Sequence, residues 1–299
     1  MTIAALRTPD EHFLDLPGYD FTPHYVDDLP GYEGLRLHYL DEGPADAEHT
    51  FLCLHGEPTW SYLYRKMIPV FTEAGGRVIA PDLLGFGRSD KPTDDAVYTF
   101  NFHREYLLAF LRALDLRGVT LVCQDWGGLL GLTLPVDEPE RFSRLIVMNT
   151  AIATGVNPGP GFEAWKAFNA ANPDLDIAGL MQNSVDGLSD AEAAAYAAPF
   201  PDVAFKGGVR RFPELVMVAP DMEGVETSRR ALAWWQNEWS GQSFMAIGMK
   251  DPVLGPPIMH RLREAIRGCP EPMEVPEGGH FVQEHGEQIA RAALRAFAA

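Results

Sequence analysis

Val119-Thr120-Leu121-Val122-Cys123-Gln124-Asp125-Trp126-Gly127-Gly128-Leu129-Leu130 reads as a buried strand, a sharp turn and the start of a helix. Small residues flank the turn at Cys123, Gly127 and Gly128. A strained strand-to-helix turn is crowded, so it needs small neighbours, and it holds its tip residue out as a nucleophile. The tip here is Asp125, a carboxylate where serine is usual. Serine suits attack on a carbonyl, because the resulting ester can be hydrolysed. On a saturated carbon, serine would leave a stable ether. A carboxylate leaves an ester that water can cleave at the carboxylate's own carbonyl, so Asp125 points to substitution at an sp³ carbon. Read alone, Asp125 is also a plausible helix cap.

Outward from this stretch, short apolar runs alternate with helical segments. The strands expected are 35–40, 50–54, 77–80, 119–123, 144–148, 243–247 and 272–275. Each is nearly continuous in apolar character, as in parallel strands buried on both faces. Helices are expected at 61–74, 99–114, 126–136, 256–267 and 287–297. The alternation predicts an α/β fold with a mostly parallel central sheet flanked by helices. It stops between 153 and 229, where Ala, Pro, Gly, Asp and aromatic residues dominate and helical patches lie at 176–183 and 189–198. This stretch reads as an inserted helical cap, with a helix at 228–237 leading back. The expected division is a core of 1–152 and 230–299 and a cap of 153–229.

Composition narrows the classes. The chain of 299 residues is 46% hydrophobic, enough for a sizeable core, and its net charge of −18 argues against a nucleic-acid partner, which needs clustered Lys and Arg. Cys53, Cys123 and Cys269 have neither disulfide nor zinc spacing and read as reduced thiols of a cytoplasmic protein. The N-terminus lacks a signal-peptide pattern, and no apolar run approaches a membrane span.

Three polar residues follow strand ends in chain order: Asp125, then Asp251 in Gly248-Met249-Lys250-Asp251, then His280 in Gly278-Gly279-His280-Phe281. Singly, Asp251 reads as a turn residue and His280 as a core histidine. Jointly, nucleophile, acid and histidine in this order match a triad of the α/β-hydrolase fold. Sites in parallel sheets gather beyond the carboxyl ends of strands, so the three can converge. His55-Gly56-Glu57-Pro58 follows the strand 50–54. In this fold that loop supplies one oxyanion-hole amide, here Glu57, and the residue after the nucleophile, Trp126, supplies the other. Asp82-Leu83-Leu84-Gly85-Phe86-Gly87-Arg88-Ser89-Asp90 carries Asp90 where a dinucleotide fingerprint needs its third glycine, and reads as a structural loop. The histidines show no metal-site spacing, and no metal or cofactor is expected.

At this point the chain resembles the haloalkane dehalogenases, and within them the branch typified by the Xanthobacter 1,2-dichloroethane dehalogenase. The resemblance rests on Gln124-Asp125-Trp126-Gly127-Gly128, on His55-Gly56-Glu57-Pro58-Thr59-Trp60, on the Asp82 loop, on Phe244 to Asp251, on Ala194 to Pro201 and on Gly279-His280-Phe281. It implies hydrolysis of short haloalkanes to a primary alcohol, halide and a proton through an alkyl-aspartate ester. It implies Asp125 as nucleophile, His280 as general base and Asp251 as the acid orienting it; Asn149, where other branches place a Glu, cannot serve as that acid. It implies that Trp126 and the cap residue Trp165 donate indole N–H groups to the halide, because an ionised Glu57 has no proton to donate. By the same resemblance Phe162, Leu129, Phe212, Pro213, Val216 and Leu254 form the pocket wall. The core–cap join around 152–161 looks shorter than in the Xanthobacter relative. The partners implied are a small-molecule haloalkane and its halide, with no nucleic acid or membrane, acting on a monomer.

The rival readings are an epoxide hydrolase and a non-catalytic binding protein on the same fold. Epoxide opening needs acid groups, usually a pair of cap tyrosines in that family, and Tyr196 is the only tyrosine between Thr150 and Arg229. A fluoroacetate dehalogenase would need arginines near the elbow to clamp a carboxylate, and Trp126 and Leu129 offer none.

Overall fold

In the computed structural model, which describes residues 3–27 and 29–298, strands and helices follow the expected alternation. The first part of the chain forms β1 (Ala5–Leu6), β2 (Pro23–Val26), β3 (Leu37–Glu42), β4 (Thr50–Leu54), α1 (Ile68–Glu73), β5 (Arg77–Pro81), β6 (Lys91–Pro92) and α2 (Phe100–Ala113). Then come β7 (Val119–Cys123), α3 (Trp126–Gly131) and β8 (Phe142–Met148). Five helices come next, α4 (Pro160–Ala171), α5 (Ile177–Ser184), α6 (Asp190–Ala197), α7 (Gly207–Leu215) and α8 (Val225–Asn237). The chain closes with β9 (Gln242–Gly248), α9 (Pro256–Ala265), β10 (Met273–Val275) and α10 (Gly286–Ala298).

The main sheet has the strand order β10-β9-β8-β7-β4-β5-β3-β2. From β10 to β5 every pairing is parallel, while β3 pairs antiparallel with both β5 and β2. Every residue of β4 and β7 is buried, which explains their unbroken apolar runs. Because β4, β7, β8, β9 and β10 are parallel neighbours, the loops after them emerge side by side along one edge. Glu57, Asp125, Asn149, Asp251 and His280 lie on those five loops.

The departures from expectation have local causes. β2 was not expected because it is a half-exposed edge strand opening on Pro23, without a continuous apolar run. The two-residue pairing of β1 with β6 is too short to leave a pattern. The helix expected over 61–74 is split into a 3₁₀ turn, Ser61–Tyr64, and α1. Pro69 would clash with the Arg65 carbonyl in a continuous helix, so it sits in the first turn of α1 instead. In the same way Pro135 ends the helix expected over 126–136, leaving α3 and the 3₁₀ turn Leu134–Val136.

Among the described residues no strand lies between β8 and β9. α6 opens with a reciprocal capping box between Ser189 and Glu192, and Asp176 caps α5. α8 starts at Val225, so position 229 falls within one continuous helix. Among the described residues no helix is long and apolar enough to cross a membrane.

Candidate active site

Asp125 is the tip of the elbow, with φ 50° and ψ −126°. That left-handed backbone is uncommon outside glycine, and here it turns the chain abruptly from β7 into α3. The small neighbours are obligatory. A Cβ on Gly127 would lie 1.9 Å from the Leu54 carbonyl oxygen, and one on Gly128 would lie 2.1 Å from Thr150 Oγ1. On Gly56 it would reach 2.2 Å from Asp125 Oδ1. The Asp125 side chain does not cap α3. Its Oδ1 instead accepts from the Glu57 amide at 2.9 Å, across the gap from the loop after β4.

That loop is held rigidly. Leu83 N–H donates to His55 Nε2 at 2.9 Å, so His55 Nδ1 carries the proton and donates to the Gly56 carbonyl at 2.9 Å. Asp82 accepts from Ser61 N–H at 2.8 Å, from Arg88 N–H at 2.8 Å and from His38 Nδ1 at 2.6 Å. The Asp82 loop therefore packs as a structural element, and it braces the loop after β4.

Asp251 and His280 arrive from β9 and β10. His280 Nδ1 lies 2.9 Å from Asp251 Oδ2, and its Nε2 lies 3.6 Å from Asp125 Oδ2. The Asp251 carboxylate is fully saturated: Oδ1 accepts from the amides of Val253 (2.8 Å) and Leu254 (3.0 Å), and Oδ2 also accepts from Asn149 Nδ2 at 2.9 Å. Burial pushes the Asp251 carboxyl up, but the His280 charge and hydrogen bond, with the two amides, outweigh it and hold it down at about 2. Burial likewise opposes a charge on His280, yet Asp251 and then Asp125 lift it to about 9. Asp125 itself is raised, by burial first, against the pull of His280 and the amides of Trp126 and Glu57. It is thus a desolvated and more basic carboxylate, as a nucleophile requires.

A cavity of about 1040 Å³ opens beside these residues, lined by Glu57, Asp125, Trp126 and His280 from the core and Trp165 from α4. The indole N–H groups of Trp60, Trp235 and Trp239 donate to protein oxygens. Among the described residues those of Trp126 and Trp165 meet no protein acceptor. Two unpaired donors on one cavity suit an anion that has no proton to give.

Phe162, Leu129, Pro213, Val216 and Leu254 line the cavity as expected. Phe212 does not. It is fully buried behind the Trp126 ring at 4.7 Å between centroids, wedged against Phe86 and His103, and buttresses the wall without forming it. The Glu57 side chain also differs from expectation. Burial, and next the Asp125 charge, push its carboxyl well above the usual carboxylate range, against the ionised form expected. Tyr196 is fully buried, with its hydroxyl on Glu284 and its ring edge-on to Tyr62 at 4.9 Å, so it offers no acid group to the cavity. Sequence reading missed Asn149 as a partner of Asp251 and the contact of Gln124 with His280. The only local signal was their position, one residue past a strand end.

The family described as the alpha/beta hydrolase fold matches residues 49–287. A haloalkane dehalogenase of Psychrobacter cryohalolentis is 46% identical over 96% of this chain and 95% of its own. The chain belongs to the haloalkane dehalogenases. Another dehalogenase, from Mycolicibacterium paratuberculosis, is 39% identical over 97% of both chains. Among solved structures, the tetrameric haloalkane dehalogenase DpaA from Paraglaciecola agarilytica is 56% identical over 99% of both chains, with a TM-score of 0.97. In this haloalkane dehalogenase Asp125, Trp126, Trp165 and His280 line one cavity, and Asp251 lies behind His280.

Proposed function

We propose that this dehalogenase hydrolyses short haloalkanes to a primary alcohol, halide and a proton through an alkyl ester on Asp125. The observation that carries the reading is a desolvated carboxylate beside His280, on a cavity also lined by Trp126 and Trp165, whose indole N–H groups meet no protein acceptor among the described residues. Asp125 Oδ1 is tied to the Glu57 amide, so Oδ2 is the attacking oxygen. It bonds to the halogen-bearing carbon as the carbon–halogen bond breaks, and the electron pair leaves with the halide. The N–H groups of Trp126 and Trp165 meet charge that grows on the halogen, so they act in the transition state.

Water then attacks the ester carbonyl carbon of Asp125, giving its proton to His280 Nε2. The negative charge falls on Oδ1, already at the Glu57 amide and close to that of Trp126. Collapse breaks the bond from carbonyl carbon to Oδ2, now the ester oxygen. Alcohol, halide and the proton depart, and Asp125 is restored. Asp251 steadies the imidazolium throughout. Residues 153–229, which carry α4 to α7 and the first turn of α8, form the cap over a core of 1–152 and 230–299, with Trp165 as the cap's contribution.

His280→Gln tests the scheme. It should release one equivalent of halide and trap alkylated Asp125, visible as a mass increase of the alkyl group, while turnover stops. No adduct with any of a panel of chloro-, bromo- and iodoalkanes would sink it. The acting unit in this reading is a monomer; light scattering decides between that and a tetramer like the Paraglaciecola relative. The three free cysteines suit a reducing cytoplasm.

A further inference from the structure

Gln124, the residue just before the nucleophile, has no part in the scheme above, yet it touches the general base twice. It is fully buried, with Nε2 at 3.0 Å from the His280 carbonyl oxygen and 3.1 Å from His280 Nε2. Its Oε1 accepts from Gln283 Nε2 at 3.3 Å. These partners decide the orientation of the amide. A carbonyl oxygen only accepts, so the group facing it is the NH₂ and not the amide oxygen. The second amide hydrogen is then directed at His280 Nε2. A donor there is satisfied only when that nitrogen presents a lone pair. On the other side of the ring, Nδ1 faces the Asp251 carboxylate at 2.9 Å, which only accepts. Together the two neighbours select one form of His280, with the proton on Nδ1 and the lone pair on Nε2.

We propose that Gln124 is a positioning residue for ester hydrolysis: its amide holds His280 in the Nδ1–H form and opposes a proton on Nε2. The proposal rests on the two-step reaction above. Asp125 and Asp251 touch His280 and both favour the imidazolium; Glu57, Asp186, Lys250, Arg261, Glu277, Glu284 and His285 are the other titratable groups along the cavity. Gln124 is the neutral donor that works against them. Before water arrives its N–H occupies the Nε2 lone pair, and water displaces it there. After the proton transfer, N–H faces N–H across 3.1 Å, which favours loss of the proton to solvent and resets the base. Alkylation of Asp125 removes one of the two charges that oppose Gln124, so its influence is greatest in the ester intermediate.

The test is Gln124→Met, followed by rapid-mixing kinetics with 1-bromobutane across pH. The bromide burst should stay within about twofold of the parent. Ester hydrolysis should slow about tenfold at pH 7, with its pH midpoint raised by about one unit and its rate recovered above it. Gln124→Glu, which accepts from Nε2–H, should move the midpoint further up. A midpoint unchanged in both variants, whether hydrolysis is slow or normal, overturns the proposal and leaves Gln124 a packing residue. Absence of a burst in the parent protein would instead refute the two-step reaction. If the variants do not fold, ¹⁵N NMR of histidine-labelled parent protein decides: the neutral His280 ring should carry its proton on Nδ1, and an Nε2–H ring overturns the proposal.

Discussion

Asn149 donates its side-chain amide to Asp251 Oδ2 at 2.9 Å, on the same oxygen that faces His280. Its own Oδ1 accepts from the Gly248 amide at 2.7 Å, so Asn149 is locked between β8 and β9. A residue that cannot be the triad acid thus helps to keep Asp251 ionised. Asn149→Ala removes a hydrogen bond to a buried charge, worth about 1.5–3 kcal/mol. We expect that loss in urea unfolding, together with an upward move of the acid limb of the pH–rate profile. Unchanged stability and an unchanged acid limb would remove Asn149 from this role.

His280 ties stability to pH. Its folded-state pKa is raised to about 9 from an ordinary 6.5, so its contribution is full below pH 6.5 and is lost as pH rises through 9. The size is about 3 kcal/mol at most. Lys91 runs the opposite way: burial lowers it, against Asp82 and Asp90, to about 7. The measurement is therefore the difference between the parent and His280→Gln, which cancels Lys91. That difference should shrink between pH 6.5 and 9.5; a constant difference would contradict the ion-paired His280.

Trp165→Phe keeps an aromatic ring on α4 and deletes the N–H. Loss of one donor to a developing anion predicts a fall of about 10²-fold in kcat/KM and weaker bromide binding. The half-exposed position makes a folding defect a poor explanation for such a loss. Bromide affinity equal to the parent's would exclude Trp165 as a halide donor.

Arg65 joins the cap to the core. It donates to Glu284 at 2.7 and 2.9 Å and to Glu192 of α6 at 2.8 Å, with only 3% of its side chain exposed. Arg65→Met leaves Glu284 as a buried charge whose remaining cation, among the described residues, is Lys66. The expected cost is about 3–5 kcal/mol, seen as a lower Tm. The prediction fails if Tm is unchanged, which would mean that Lys66 and Tyr196 suffice.

The strand–turn–helix at Asp125 was legible because its requirements are local. Buried strands leave continuous apolar runs, and the tight turn excludes any side chain at Gly127 and Gly128. The order Asp125, Asp251, His280 was readable from strand ends, since parallel neighbours deliver their loops to one edge. Edge strands and proline-split helices were harder to read. β2 is half solvated and leaves no apolar run. A proline marks a break in a helix but does not specify the backbone conformation on its far side.

What the sequence by itself determined is the α/β core, the helical insertion, the elbow and the polar residues that end its strands, because periodicity and turn chemistry act over a few residues. Only the tertiary structure decided which side chains meet. It brought Gln124 to His280, Asn149 to Asp251 and Arg65 to Glu284, and it set Phe212 behind Trp126 instead of on the cavity. It also set Trp126 and Trp165 on one cavity and, among the described residues, gave their indole N–H groups no protein acceptor. Those outcomes depend on sheet order and on how the cap packs over the strand ends. No local pattern records contacts between residues so far apart in the chain.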